Sequence, residues 1–216
     1  MMDYWLDLSR GPLFYFAFTL MVLGLIRHMI LTVIGIRRMV DRAGHPTLPY
    51  GTVLKATLLW LFPFNKMNNR IGYSILSIVF HVGLMVTPIF LSAHILLWKR
   101  GIGLSWWGLP GNLADTLTVI TIAACIGLFI GRVANRHSRY ISRFQDFTLL
   151  ILLGLIFISG FIAGRPELNP FPYRAMMLVH VMCGNITFVL LPFTKLAHAV
   201  LLPTSCSMTI DNAVSF

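Results

Sequence analysis

The chain has 216 residues, 57% of them hydrophobic and 11% charged, with a mean hydropathy of +0.79. A soluble domain carries about 25% charged residues, so this much apolar surface excludes a single soluble core and points to a polytopic membrane protein. Lys and Arg number 17 against 7 Asp and Glu, for a net charge of +10; the positives cluster in short loops between apolar stretches and read as topology signals, not as a nucleic-acid footprint.

A membrane-crossing helix needs roughly 20 apolar residues. The first stretch that qualifies is Pro12–Ile36. It is too long for a signal-peptide core and lacks a clear small-residue cleavage site, so it is read as a retained span. His28 lies in its inner half beside Arg27. The next apolar run, Val53–Phe64, is interrupted by Lys55 and stopped by Pro63; it is too short to cross and reads as a helix lying at the interface. The second span, Tyr73–Trp98, contains His81, Pro88 and His94. The third and fourth are Asn112–Arg132 and Phe144–Gly164, and the fifth, Arg174–Leu202, contains His180 and His198. No internal repeat or low-complexity segment interrupts the pattern. The expected fold is an all-α membrane protein, one domain over residues 1–216, with five transmembrane helices in a bundle and a short interfacial helix.

Loop charges set the expected orientation. Arg37, Arg38, Arg42, Lys55, Lys66, Arg70, Arg132, Arg136, Arg139 and Arg143 follow the first and third spans. The opposite side holds only Arg10, Lys99, Arg100, Arg165 and Arg174. The excess places the N-terminus outside and the C-terminus in the cytoplasm, as in a multi-pass protein of a bacterial inner membrane.

That orientation assigns depths to the histidines. Imidazole is unfavourable in hydrocarbon, so a histidine within a span usually faces the interior and has a partner. With the second and fifth spans antiparallel, His81 meets His198 near the inner face and His94 meets His180 near the outer face. Two such pairs suit two haem irons, each held between neutral imidazoles. At 1.5 Å per residue, His81 to His94 covers about 20 Å and His180 to His198 about 27 Å, and tilt or ring position must absorb the mismatch of roughly 7 Å. Eighteen residues make five whole turns, which puts His180 and His198 on one helical face; thirteen leave His81 and His94 about 140° apart on an ideal helix. Pro88 lies between the latter two, and a kink there is the expected remedy.

Each feature also has a plainer explanation. Gly83 and Gly184 would let a porphyrin edge approach, or would simply serve helix packing. His28 would replace a ligand, bond a haem propionate, or snorkel to the interface. His45 and His137 lie in Arg-rich loops and read as solvent- or headgroup-facing. Lys99, Arg100, Asp115, Arg165, Glu167 and Arg174 crowd the outer face and are the candidates for a quinone site. Trp98, Trp106 and Trp107 are explained equally by an interfacial aromatic belt. Cys125, Cys183 and Cys206 are scattered, without C-x-x-C-H or a ferredoxin-like run, so any haem is b-type. No nucleotide-binding glycine loop, hydrolytic triad or carboxylate-rich metal site is present. The chain reads as an electron carrier whose chemistry is finished by partners; the alternatives are a haem-free membrane anchor and a small transporter with a histidine proton relay.

The stretches FHVG (Phe80–Gly83), PIFLSAHILLW (Pro88–Trp98), MLVHVMCGN (Met177–Asn185) and LLPFTKLAH (Leu190–His198) resemble a known family. They look like the gamma subunit of respiratory nitrate reductase and its relatives in redox complexes of sulfate-reducing bacteria. Those relatives are the cytochrome b subunits of the high-molecular-weight cytochrome c complex, the type II cytochrome c3 complex and the sulfite-reductase-associated complex. The resemblance runs from the second span onward. It implies five helices, two haem b groups and a quinone site near the outer haem, with menaquinone or menaquinol as exchangeable substrate. It also implies an iron–sulfur protein subunit, other membrane subunits and a multihaem cytochrome c as partners. By position, His81 and His198 would hold the inner haem and His180 one side of the outer one. The shorter spacing of the nitrate reductase subunits would fall near Leu91, which cannot ligate. His94 is the nearby replacement, so the sulfate-reducer branch is the better match.

Overall fold

The computed structural model describes residues 1–43 and 71–197. Among these the chain is helical, without strands. The helices are α1 (Met2–Arg10), α2 (Pro12–Ala43), α3 (Ile71–Phe90), α4 (Ser92–Ile102), α5 (Gly111–Ala134), α6 (Arg136–Ile141), α7 (Phe144–Ala163) and α8 (Tyr173–Leu190), with short 3-10 turns after α7 and α8. Five segments are long and apolar enough to cross a membrane: Met2–Gly35, Ile71–Phe90, Gly111–Ala134, Phe144–Ala163 and Tyr173–Phe193. Large apolar side chains such as Leu23, Ile30, Ile89, Ile130 and Leu155 are exposed along them, as expected of faces solvated by lipid and not by water. The interfacial helix expected over Val53–Phe64 lies outside the described residues, as do His45 and His198.

The chain divides into two compact units. In the unit formed by Met1–Ser9 and Arg70–Gly184, α5 is central, packed on α3 on one side and on α7 on the other. Its buried positions are Ala114, Thr118, Thr121, Ala124, Cys125 and Leu128, a three- and four-residue spacing that lays small side chains along one seam. Small residues let helix backbones approach closely in a bilayer, where dispersion replaces the hydrophobic effect as the packing force. The Thr118 and Thr121 hydroxyls donate to Ala114 and Leu117 carbonyls at 2.7 and 2.6 Å, so neither leaves a polar group orphaned. Gly83 of α3 sits against Thr121, where any Cβ would collide with the threonine side chain. The role of Gly83 is therefore helix packing. Gly83→Ala is expected to destabilise the protein by about 1–3 kcal/mol, the usual range for an overpacked core, read as a lower Tm in detergent.

Polar groups fasten the ends of these helices. Asn135 caps α6 by accepting from the His137 and Ser138 backbone N–H groups at 3.0 and 3.2 Å, which leaves His137 exposed on the loop helix. Asp146 accepts from the Arg143 N–H at 2.9 Å at the start of α7, where a carboxylate also complements the helix dipole. Arg132 reaches the same aspartate, donating to its carbonyl at 3.3 Å. Asp3 of α1 pairs with Arg174 of α8 at 2.6 Å.

The second unit comprises Arg10–Asn69 and Asn185–Phe216, of which residues 10–43 and 185–197 are described. Phe14 and Phe18 of α2 meet Phe188 with ring centres 6.0 Å apart. Lower down, Gly24 receives Pro192: a Cβ at Gly24 would come within 2.5 Å of the proline ring.

Two expected spans are not continuous helices. The second breaks at Leu91, whose φ −72 and ψ 124 are extended. The fifth ends as an α-helix at Leu190 and continues as 3-10 turns over Leu191–Phe193 and Lys195–Ala197. A proline lies at or before both interruptions, and each lacks the N–H that would bond the carbonyl of the preceding turn, which its ring also crowds. Pro88 precedes the first break and Pro192 sits within the second. The interruption in the second span was expected at Pro88 itself and lies three residues later. The unbroken helix expected from His180 onward ends at Leu190, so the regular turns assumed toward His198, which lies outside the described residues, do not continue past that point.

Candidate functional site

Three of the four candidate histidines are among the described residues, and two face each other. The rings of His94 on α4 and His180 on α8 have centres 6.1 Å apart and planes inclined by 17°. The break at Leu91 is what permits this. A straight helix would carry His94 round to the wrong face relative to His81, whereas α4 starts afresh after an extended residue.

Both rings are held at the same atom. His94 Nδ1 donates to the Pro88 carbonyl at 3.0 Å, and His180 Nδ1 donates to the Ile156 carbonyl of α7 at 2.9 Å. A carbonyl only accepts, so in each neutral ring the proton resides on Nδ1 and Nε2 carries a bare lone pair. No hydrogen bond joins the two rings, and neither Nε2 has a hydrogen-bond partner among the described residues. This is the arrangement of a metal-binding histidine, whose second nitrogen is tied to a backbone carbonyl that fixes tautomer and ring orientation.

The spacing fits one metal atom. A metal–imidazole bond is about 2.0–2.1 Å and a ring nitrogen lies about 1.1 Å from its ring centre, so imidazoles on opposite sides of one atom have centres about 6.2 Å apart. The observed 6.1 Å agrees. Among the described residues there is no group of three or more His, Cys, Asp or Glu able to hold a metal. A metal between these two rings would thus take two protein ligands and need the rest of its coordination from a bound group.

Gly160 of α7 makes the approach of His180 possible. A Cβ there would lie 2.7 Å from His180 Cε1 and 2.9 Å from Nδ1. The Ser159 hydroxyl, buried beside it, donates to the Leu155 carbonyl at 2.5 Å. Around Gly184, by contrast, a Cβ would meet nothing within 4 Å.

His81 lies on α3 with Nδ1 donating to the Ser77 carbonyl at 2.7 Å, the same tautomer as the other two. Its expected partner His198 is outside the described residues. His28 has a different role from any of the three expected for it. Its Nε2 donates to the Pro192 carbonyl at 2.6 Å, satisfying a carbonyl that the interrupted end of α8 leaves without a helical donor.

The outer charged residues divide. Arg165 pairs with Asp115, lies 3.9 Å from Glu167 and stacks its guanidinium 4.6 Å over the Phe161 ring. Arg174 is engaged by Asp3 instead. Lys99 and Arg100 are exposed on the last turn of α4, where positive charge suits the helix dipole. Trp106 and Trp107 fold back on the break: Trp106 Nε1 donates to the Ile89 carbonyl at 2.9 Å, and Trp107 stacks on Phe90 at 4.6 Å.

No protein-family profile matches the chain, and no solved structure matches it. It is similar to a protein of Nitratidesulfovibrio vulgaris strain Hildenborough, with 29% identity over 196 residues, covering 88% of this chain and 85% of the relative. That relative is known simply as "Protein".

Proposed function

We propose that this chain is a di-haem b electron-transfer subunit of a quinone-linked respiratory complex in a bacterial inner membrane. The observation that carries the proposal is the His94–His180 pair, with both Nδ1 atoms tied to carbonyls and the rings spaced for a single metal atom. His94 and His180 are the two residues that would hold a haem iron here, and the rest of the iron's coordination would come from the porphyrin. His81 and His198 are the expected ligands of the second haem, and the N-terminus is expected to face outward. The relative from a sulfate-reducing bacterium agrees with the branch of the family that the second span resembles.

When bound, haem supplies a one-electron Fe(III)/Fe(II) couple. The protein holds the imidazoles of His81, His94 and His180 in the Nδ1–H tautomer, each through a backbone carbonyl. At the outer side, Arg165 would offer donors to a quinone oxygen, and Asp115 and Glu167 would exchange protons with the quinone or quinol. Electrons would pass between the menaquinone pool and an iron–sulfur or multihaem cytochrome partner.

The test is a pyridine haemochrome measurement on the purified protein, followed by reduction with a menaquinol analogue. Two b haems per chain, at least one of them quinol-reducible, is the expected result; haem-free protein would contradict it. His28→Ala is expected to leave the haem content unchanged while lowering stability by about 1–3 kcal/mol, because it orphans the Pro192 carbonyl. Loss of a haem in that variant would make His28 a ligand.

A further inference from the structure

Where α3 stops, three consecutive carbonyls lose their helical donors: those of Pro88, Ile89 and Phe90. In a bilayer each orphaned group costs several kcal/mol, so a break survives only where other donors replace the missing ones. All three are replaced. Pro88 receives His94 Nδ1 at 3.0 Å, Ile89 receives Trp106 Nε1 at 2.9 Å, and Phe90 receives the Leu109 N–H at 2.9 Å. Two of the donors come from one loop, residues 103–110, and the third is the ring of His94.

The loop is shaped for this position. Gly103, with φ 78, turns the chain at the end of α4, and its N–H closes on the Lys99 carbonyl. A Cβ at Gly108 would lie 2.9 Å from the Ser92 hydroxyl and 3.4 Å from the Phe90 carbonyl, so glycine lets the loop close on the break. Trp107 covers Phe90.

Resting on the haem reading above, we propose that Trp106 is a positioning residue for His94: its indole N–H holds the Ile89 carbonyl, and thereby the neighbouring Pro88 carbonyl that orients the His94 ring. Without the indole donor the Ile89 carbonyl must find another. Donors close by in sequence are the backbone N–H groups at the start of α4, whose capture would rewind the break, and the His94 ring itself. Either outcome turns the imidazole away from His180.

The experiment compares Trp106→Phe, which removes the donor, with Trp106→His, which keeps a ring N–H, and with Trp107→Phe, which keeps a stacking ring. Redox titration and low-temperature EPR of membranes containing the full chain are the readouts. Trp106→Phe is expected to shift the midpoint potential of the haem on His94 and His180 and to convert part of its low-spin signal to high-spin. The haem on His81 and His198 should be unchanged, Trp107→Phe should match wild type, and Trp106→His should lie closer to wild type than Trp106→Phe. A Trp106→Phe protein with both haems as in wild type overturns the proposal. Loss of both haems, or of the chain, in both Trp106 variants overturns it equally, since that is the mark of a general role in folding. Wild-type membranes lacking low-spin haem would defeat the haem reading, and this proposal with it.

Discussion

Replacing His180 with alanine is expected to remove the outer haem and halve the haem b content, with the inner haem retained. His180 contributes one of two neighbouring imidazoles, and the described residues hold no group of three or more His, Cys, Asp or Glu able to bind a metal in their place. Its removal leaves His94 as a lone axial ligand, still tied to the Pro88 carbonyl at 3.0 Å and unable to follow the metal. His94→Ala should produce the same loss, since each ring completes the other's site. Haem quantification on both variants, normalised to protein, is the check. If both abolish all haem, or neither does, the pairing of His94 with His180 is wrong.

Gly160→Ala is expected to weaken the same site without touching a ligand. The added methyl would lie 2.7 Å from His180 Cε1, inside any normal contact distance, and α7 is fixed by its packing on α5. The imidazole has to move, which stretches its 2.9 Å bond to the Ile156 carbonyl and changes its 6.1 Å spacing from the His94 ring. Overpacking of this kind costs about 1–3 kcal/mol, so the variant should show a lower Tm and lose the outer haem preferentially on dilution in detergent. Gly154→Ala on the same helix is the control. Its Cβ would meet only the Cys125 sulfur at 3.3 Å, remote from the pair. Equal haem loss in the two variants would show that helix packing alone is being measured.

Five crossing helices were readable in the sequence because length and apolarity decide them, and each of the five expected stretches overlaps a helical segment long and apolar enough to span. Pairing His94 with His180 was also expected from their shared depth, and the two rings do face each other. Phase was a poorer guide. Regular periodicity was assumed through Pro192, where the helix stops. It was thought to be unfavourable through Pro88, where the break at Leu91 makes helical phase irrelevant. Proline announces an interruption but not its exact residue, because the chain breaks where replacement donors are found, and Trp106 and Leu109 are 17 and 19 residues away from the carbonyls they satisfy. Backbone carbonyls have no letter in a sequence, so the anchors of His94, His180 and His28 were invisible there. Gly160 carried one faint signal, a Ser–Gly pair inside an otherwise bulky apolar helix. Trp106 and Trp107, for which an interfacial belt was one explanation, also pack and bond at the break.

The most direct measurement is low-temperature EPR of the oxidised protein in its native membrane. Two low-spin ferric haem signals, of which His180→Ala removes one, are the predicted result. Only high-spin five-coordinate iron, or no haem signal in membranes that contain the chain, would contradict bis-histidine ligation.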